Sequence, residues 1–116
     1  MLPQAFMPLP SGSTLANSAA IGITASNQAV ALPNGAQQSS CQVRLYNNSS
    51  NAIAITFGQG AANAVAVFPT GGTPANGIVM APGAIEVFSV PPQATHFGVI
   101  GAAAGGTLYV TQGEGV

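Results

Sequence analysis

Few side chains in this sequence can do chemistry, and they are scattered along it. Among 116 residues there is one basic side chain, Arg44, and there are two carboxylates, Glu86 and Glu114. One histidine (His96), one cysteine (Cys41) and two tyrosines (Tyr46 and Tyr109) complete the reactive set. A Ser-His-acid relay needs His96 beside a carboxylate and a positioned serine, and no serine sits in a G-x-S-x-G elbow. A metal centre needs three or four His, Cys or carboxylate ligands, more than a single His and a single Cys supply. Glycoside hydrolysis needs two opposed carboxylates, and Glu114 lies in a glycine-rich tail, a poor place to hold one rigidly. Gly98, Gly101, Gly105 and Gly106 are followed by neither a helix nor a lysine, so they read as turn and close-packing positions. Gly58 and Gly60 likewise read as a strand exit or bulge. No catalytic residue, cofactor or metal is expected, and the chain reads as a non-enzyme.

The remaining chemistry-bearing residues have structural readings. Cys41 sits in an apolar alternation without an adjacent cation to lower its pKa, so it reads as a small buried hydrophobe. As the sole cysteine it excludes an intramolecular disulfide. His96 stands at a strand start and reads as a hydrogen-bonded or partly exposed structural histidine. Arg44 and Glu86 each stand alone of their sign within a strand. They form either a cross-strand salt bridge, worth about 0–1 kcal/mol if exposed, or contacts with groups on a partner chain that set register more than affinity.

The scarcity of charge excludes whole classes of function. Only 3% of the residues are charged, against about 25% in ordinary soluble domains. With a net charge of −1 the chain has no footprint for nucleic acid, which needs several Lys or Arg to displace counterions. Attachment to a membrane surface through basic residues fails for the same reason, and no apolar run reaches the ~18 residues of a span. A surface of Ala, Ser, Thr, Asn, Gln and Gly is cheap to desolvate compared with Lys or Glu. It suits a protein that neighbours cover in an assembly.

The elements that must position these residues follow a period of two. Residues 19–25, 28–32, 41–47, 52–58, 64–68, 78–81, 84–90, 95–101 and 107–112 read as strands. In the clearest of them, Cys41, Val43 and Leu45 point one way and Gln42, Arg44 and Tyr46 the other. Leu108 and Val110 likewise oppose Tyr109, and Ile85 and Val87 oppose Glu86 and Phe88. Residues 47–51 form a loop of side chains that bond their own backbone, which predicts a hairpin between the strands on either side. Pro33, Asn34 and Gly35, Pro82 and Gly83, and Gly105 and Gly106 mark turns, and 70–77 is a loop. No window carries a helical period with caps. The expected fold is all-β: an antiparallel β-sandwich or jelly roll of about eight short strands, with a thin core that lacks Trp.

Residues 1–18 form an extended N-terminal arm ahead of a β-sandwich domain at 19–116. Pro3, Pro8 and Pro10 favour extended geometry and break any signal-peptide helix, and no positive region precedes them. The reading is either a frayed terminus or an arm whose Leu2, Phe6, Met7 and Leu9 dock on a neighbouring subunit. Apolar side chains favour docking, because disordered tails are usually polar and charged.

From Val43 onward the chain resembles small virion proteins of tailed bacteriophages. The residues that carry the likeness are V-R-L-Y-N-N-S-S-N-A-I-A-I-T-F-G at 43–58, P-T-G-G-T-P-A-N-G-I-V-M-A-P-G-A-I-E-V-F at 69–88, P-P-Q-A-T-H-F at 91–97 and L-Y-V-T-Q-G-E-G at 108–115. They are turn and strand residues without catalytic content, and they span the C-terminal two thirds. The resemblance implies a capsid decoration (cement) protein, made in the host bacterial cytoplasm and displayed on the virion. Its expected partners are the major capsid protein and its own copies, as a dimer or trimer. The contact residues expected from the sequence are Leu2, Phe6, Met7, Leu9, Arg44 and Glu86. The alternative is a receptor- or glycan-binding β-sandwich module on a tail or fibre, using Tyr46, Tyr109 and Phe88.

Overall fold

A computed structural model of the chain describes residues 7–8, 17–32, 41–91 and 93–114. The strands are β1 (Met7–Pro8), β2 (Ser18–Gly22), β3 (Gln28–Ala31), β4 (Cys41–Asn48), β5 (Ile53–Gly58), β6 (Ile78–Met80), β7 (Ile85–Val90), β8 (His96–Gly101) and β9 (Thr107–Glu114). A single 3-10 turn, Ala61–Asn63, lies among them.

Hydrophobic alternation forces the strands into two layers. In β4, Val43, Leu45 and Asn47 are buried while Arg44 is exposed, and in β9 Leu108, Val110 and Gln112 are buried while Tyr109 is exposed. The register sets Leu45 beside Val110 and Asn47 beside Leu108, so both strands bury the same face. That face packs on Ile53, Ile55, Phe97, Val99 and Met80 of the other layer. Burying each such side chain is worth ~1.5–3 kcal/mol.

The first sheet runs β2-β9-β4-β7, with β1 pairing further along the same edge of β9, and the second runs β3-β8-β5-β6. All pairs are antiparallel. Successive strands from β2 to β5 and from β6 to β9 alternate between the sheets. Of the two expected architectures, this strand order is the eight-stranded jelly roll.

Two sequence expectations change. The strands around the loop at 47–51 do not form a hairpin, because β4 and β5 belong to different sheets. The reason is burial on both faces: Ile53, Ala54 and Ile55 are all buried, whereas β4 keeps one face open. The corner between them is closed by a side chain. Asn47, itself fully buried, donates from Nδ2 to the carbonyls of Asn51 and Ala81, both at 3.0 Å, and its Oδ1 accepts from Ser49 Oγ at 2.6 Å. Those carbonyls need no partner strand.

The second change is at 64–68, which alternates like a strand but joins neither sheet. The segment crosses the outer face of the second sheet with Ala64 and Ala66 buried and Val65 and Val67 exposed. Its polar groups bond outside any ladder. Ala66 N donates to Asn27 Oδ1 at 2.7 Å, Asn27 Nδ2 donates to Ala64 O at 3.2 Å, and Val67 N donates to Asn76 O at 3.0 Å. Gly98 permits the close approach, since a Cβ there would collide with the Ala64 carbonyl. The close-packing role read for Gly98 and Gly101 is present, as Gly101 abuts Ile23 in the same way. Gly105 and Gly106 take positive φ in the expected turn.

Candidate functional site

The segment at 61–77 roofs the second sheet, and nothing among the described residues roofs the first. Among the described residues, the outer face of the first sheet is therefore the open one. Register assembles it row by row. One row runs Ala20, Tyr109, Tyr46, Ile85, and the next runs Ser18, Thr111, Arg44, Val87. Ile85, Val87 and Tyr109 remain 52%, 45% and 44% exposed. The two tyrosine rings stack with centroids 6.0 Å apart and an interplanar angle of 22°. Tyr46 Oη donates to Asn48 Oδ1 at 3.3 Å, and the hydroxyls of Ser18 and Thr111 bond at 3.0 Å. Arg44 stands inside this field, flanked across the strands by Thr111 and Val87. Neither row contains a carboxylate.

Glu86 does not answer Arg44. The register pairs Arg44 with Val87 and Leu45 with Glu86, so the two charged side chains leave opposite faces of the sheet. Glu86 belongs to the inward row with Phe88 and Val90. That row opens progressively along the edge strand: Val90 is buried, Phe88 half-buried and Glu86 exposed. Phe57 and Phe88, with ring centroids 6.4 Å apart, hold β7 against β5 across the sandwich. Ile78 on β6 pairs with the buried Ile55 yet is 45% exposed. The inward rows of both edge strands thus meet solvent on one side of the sandwich, where the turn at 81–84 joins β6 to β7.

The other reactive residues are dispersed. His96 opens β8, half-buried, and its Nδ1 shares a hydrogen bond of 2.8 Å with Thr95 Oγ1; Gly60 N donates to the same hydroxyl at 2.8 Å. The partial burial and the hydrogen bond are those expected of His96 from the sequence. Cys41 opens β4, opposite Val90. Glu114 is the last residue of β9, paired with Met7, and not part of a free tail. Among the described residues, no group of three His, Cys, Asp or Glu could hold a metal ion. No helix there is long and apolar enough to cross a membrane. Leu2, Phe6 and Leu9 lie outside the described residues, and Met7 enters through its backbone pairing alone.

Sequence reasoning singled out Arg44 but did not see that Ile85, Val87, Tyr46 and Tyr109 surround it. One signal was present. In β7 both parities are apolar, with Ile85 and Val87 on one and Phe88 and Val90 on the other. A strand that buries only one face does not need the second set.

In comparisons with known proteins, no family model, no curated protein and no solved structure matches this chain.

Proposed function

We propose that this chain is a non-enzymatic structural protein of a tailed-bacteriophage virion. In this reading it is a decoration protein that binds the major capsid protein and stabilises the head. The observation that carries this is the open face of the first sheet, where Ile85, Val87 and Tyr109 lie in water around a single cation. Large apolar side chains grouped on one surface mark a site that a partner covers. The rest of the composition agrees, since 3% charged residues leave little to keep copies apart.

Jelly rolls serve viral capsid proteins and lectins alike, and a fold by itself does not choose between functions. The resemblance read from the sequence at 43–58, 69–88, 91–97 and 108–115 is what inclines this proposal toward the capsid. A shell stabilised by bound subunits gains stability by mass action, and weak contacts repeated over many copies add up to avidity. The apolar arm residues Leu2, Phe6, Met7 and Leu9 hold the shell in this reading, which leaves the open face to neighbouring copies of the decoration protein.

A second reading is supported by the stacked pair Tyr46 and Tyr109. Exposed aromatic rings on a sheet face bind sugars, and a tail or fibre module would use them for receptor glycans. Thermal release of DNA from particles with and without the chain separates the two. Decoration predicts that particles lacking it release DNA at a lower temperature. Equal melting, together with the chain imaged at the tail, would reject the capsid role.

A further inference from the structure

Among the residues whose side chains are described, the formal charges are Arg44 and Glu86, and the fold presents them on two different surfaces of one molecule. Arg44 lies on the open face among Tyr46, Tyr109, Ile85 and Val87, with no acid in its rows. Glu86 lies on the β6–β7 side, two residues before the half-buried Phe88 on the same strand, with no base in its row. Each surface is apolar with one charge, and the two charges are opposite.

We propose that the open face of the first sheet seats the β6–β7 side of a second copy of this chain, with Arg44 of one copy paired to Glu86 of the next. Charge decides the occupant and its orientation. Two open faces packed about a two-fold axis would bring two guanidinium groups into one apolar interface with no carboxylate, and unpaired charge is costly to desolvate. The head-to-tail arrangement matches cation to anion and apolar surface to apolar surface. It also covers the free edge of β7. Because the surfaces differ, the contact is heterologous. Each bound copy presents a fresh open face, so the assembly closes into a ring or grows along a line. The inference goes beyond the virion reading and stands without it, since it concerns the affinity of the chain for itself.

Sedimentation equilibrium of the full chain, as wild type and as charge variants, tests this without a shell. Wild type self-associates with rising concentration, and salt weakens the association. Arg44→Glu and Glu86→Arg each weaken it by about tenfold or more, because attraction becomes repulsion. The double exchange, Arg44→Glu with Glu86→Arg, recovers most of the wild-type association, which a merely structural role for either residue does not produce. Both sites are exposed, so unchanged melting temperatures confirm that each variant is folded. A wild type that stays monomeric at every concentration overturns the proposal. So does an Arg44→Glu variant that associates like wild type, or a double exchange as weak as the singles. A monomeric chain that binds a glycan array, and loses that binding with Tyr109→Ser, gives the face to a saccharide and overturns it as well.

Discussion

Asn47 Nδ2 donates to the Ala81 carbonyl at 3.0 Å and so ties the corner that leaves β4 to the corner that enters β7. The backbone repeats the tie, with Asn47 N donating to Ala84 O and Gly83 N donating to Asn47 O, both at 2.9 Å. A single buried amide therefore fixes two crossings of the sandwich. It also anchors the turn that aligns β7, the strand that carries Ile85, Glu86 and Val87.

Asn47→Ala removes the side-chain donor to the Ala81 carbonyl and one of two side-chain donors to the Asn51 carbonyl, while Ser49 Oγ keeps its bond to Asn51 O at 2.9 Å. Each hydrogen bond lost costs ~0.5–1.5 kcal/mol, so the variant should lose at least ~1 kcal/mol of stability in urea unfolding. A loss below ~0.5 kcal/mol, the scale of a neutral surface change, would show that water replaces the side chain.

Gly98→Ala should destabilise by ~1–3 kcal/mol, the usual cost of overpacking. Its Cβ would meet the Ala64 carbonyl, a backbone atom that cannot swing aside. Gly22→Ala is the control, since no atom lies within 4 Å of its Cβ position. Thermal melting of the two variants should separate them clearly, and equal melting would mean that the roof over the second sheet is loosely held.

Core and open face should respond to truncation in opposite ways. Leu45 is 1% exposed, and Leu45→Ala should cost ~2–5 kcal/mol through transfer and cavity terms. Val87→Thr keeps the branched shape on an exposed position and should change stability by less than ~0.5 kcal/mol, while it weakens self-association. A Val87→Thr variant that unfolds early would mean that the open face contributes to the fold itself.

Removal of residues 1–16 leaves β2 intact, because that strand begins at Ser18. The truncated chain should keep a cooperative melt and lose most of its attachment to phage heads, read by co-sedimentation with particles. Attachment undiminished by the truncation would move the shell contact from the arm to the sandwich.

Much of the fold could be read in advance because alternation is a local property. Val43 and Leu45 against Arg44, and Leu108 and Val110 against Tyr109, announce a strand with one buried face wherever that strand ends up. The same signal misleads where a side chain replaces a ladder. Residues 64–68 alternate because Ala64 and Ala66 face a sheet, yet their backbone bonds go to Asn27 and Asn76. The hairpin expected across 47–51 failed for a related reason. Turn chemistry is local, but whether the next strand returns to its predecessor or crosses to another layer depends on which faces are buried.

The candidate site divides along the same line. Residue types alone established the near absence of charge and the isolation of Arg44 and Glu86, and they set the expectation that no catalytic or metal-binding constellation forms. Periodicity added a fold of short antiparallel strands. Tertiary structure decided which faces meet: that β4 and β7 are neighbours, that their register sends Arg44 and Glu86 to opposite sides, and that among the described residues one outer face is roofed while the other is bare. Those outcomes come from register and layer order. Both depend on contacts between residues far apart in the chain, and a period of two repeats identically whichever strand lies alongside.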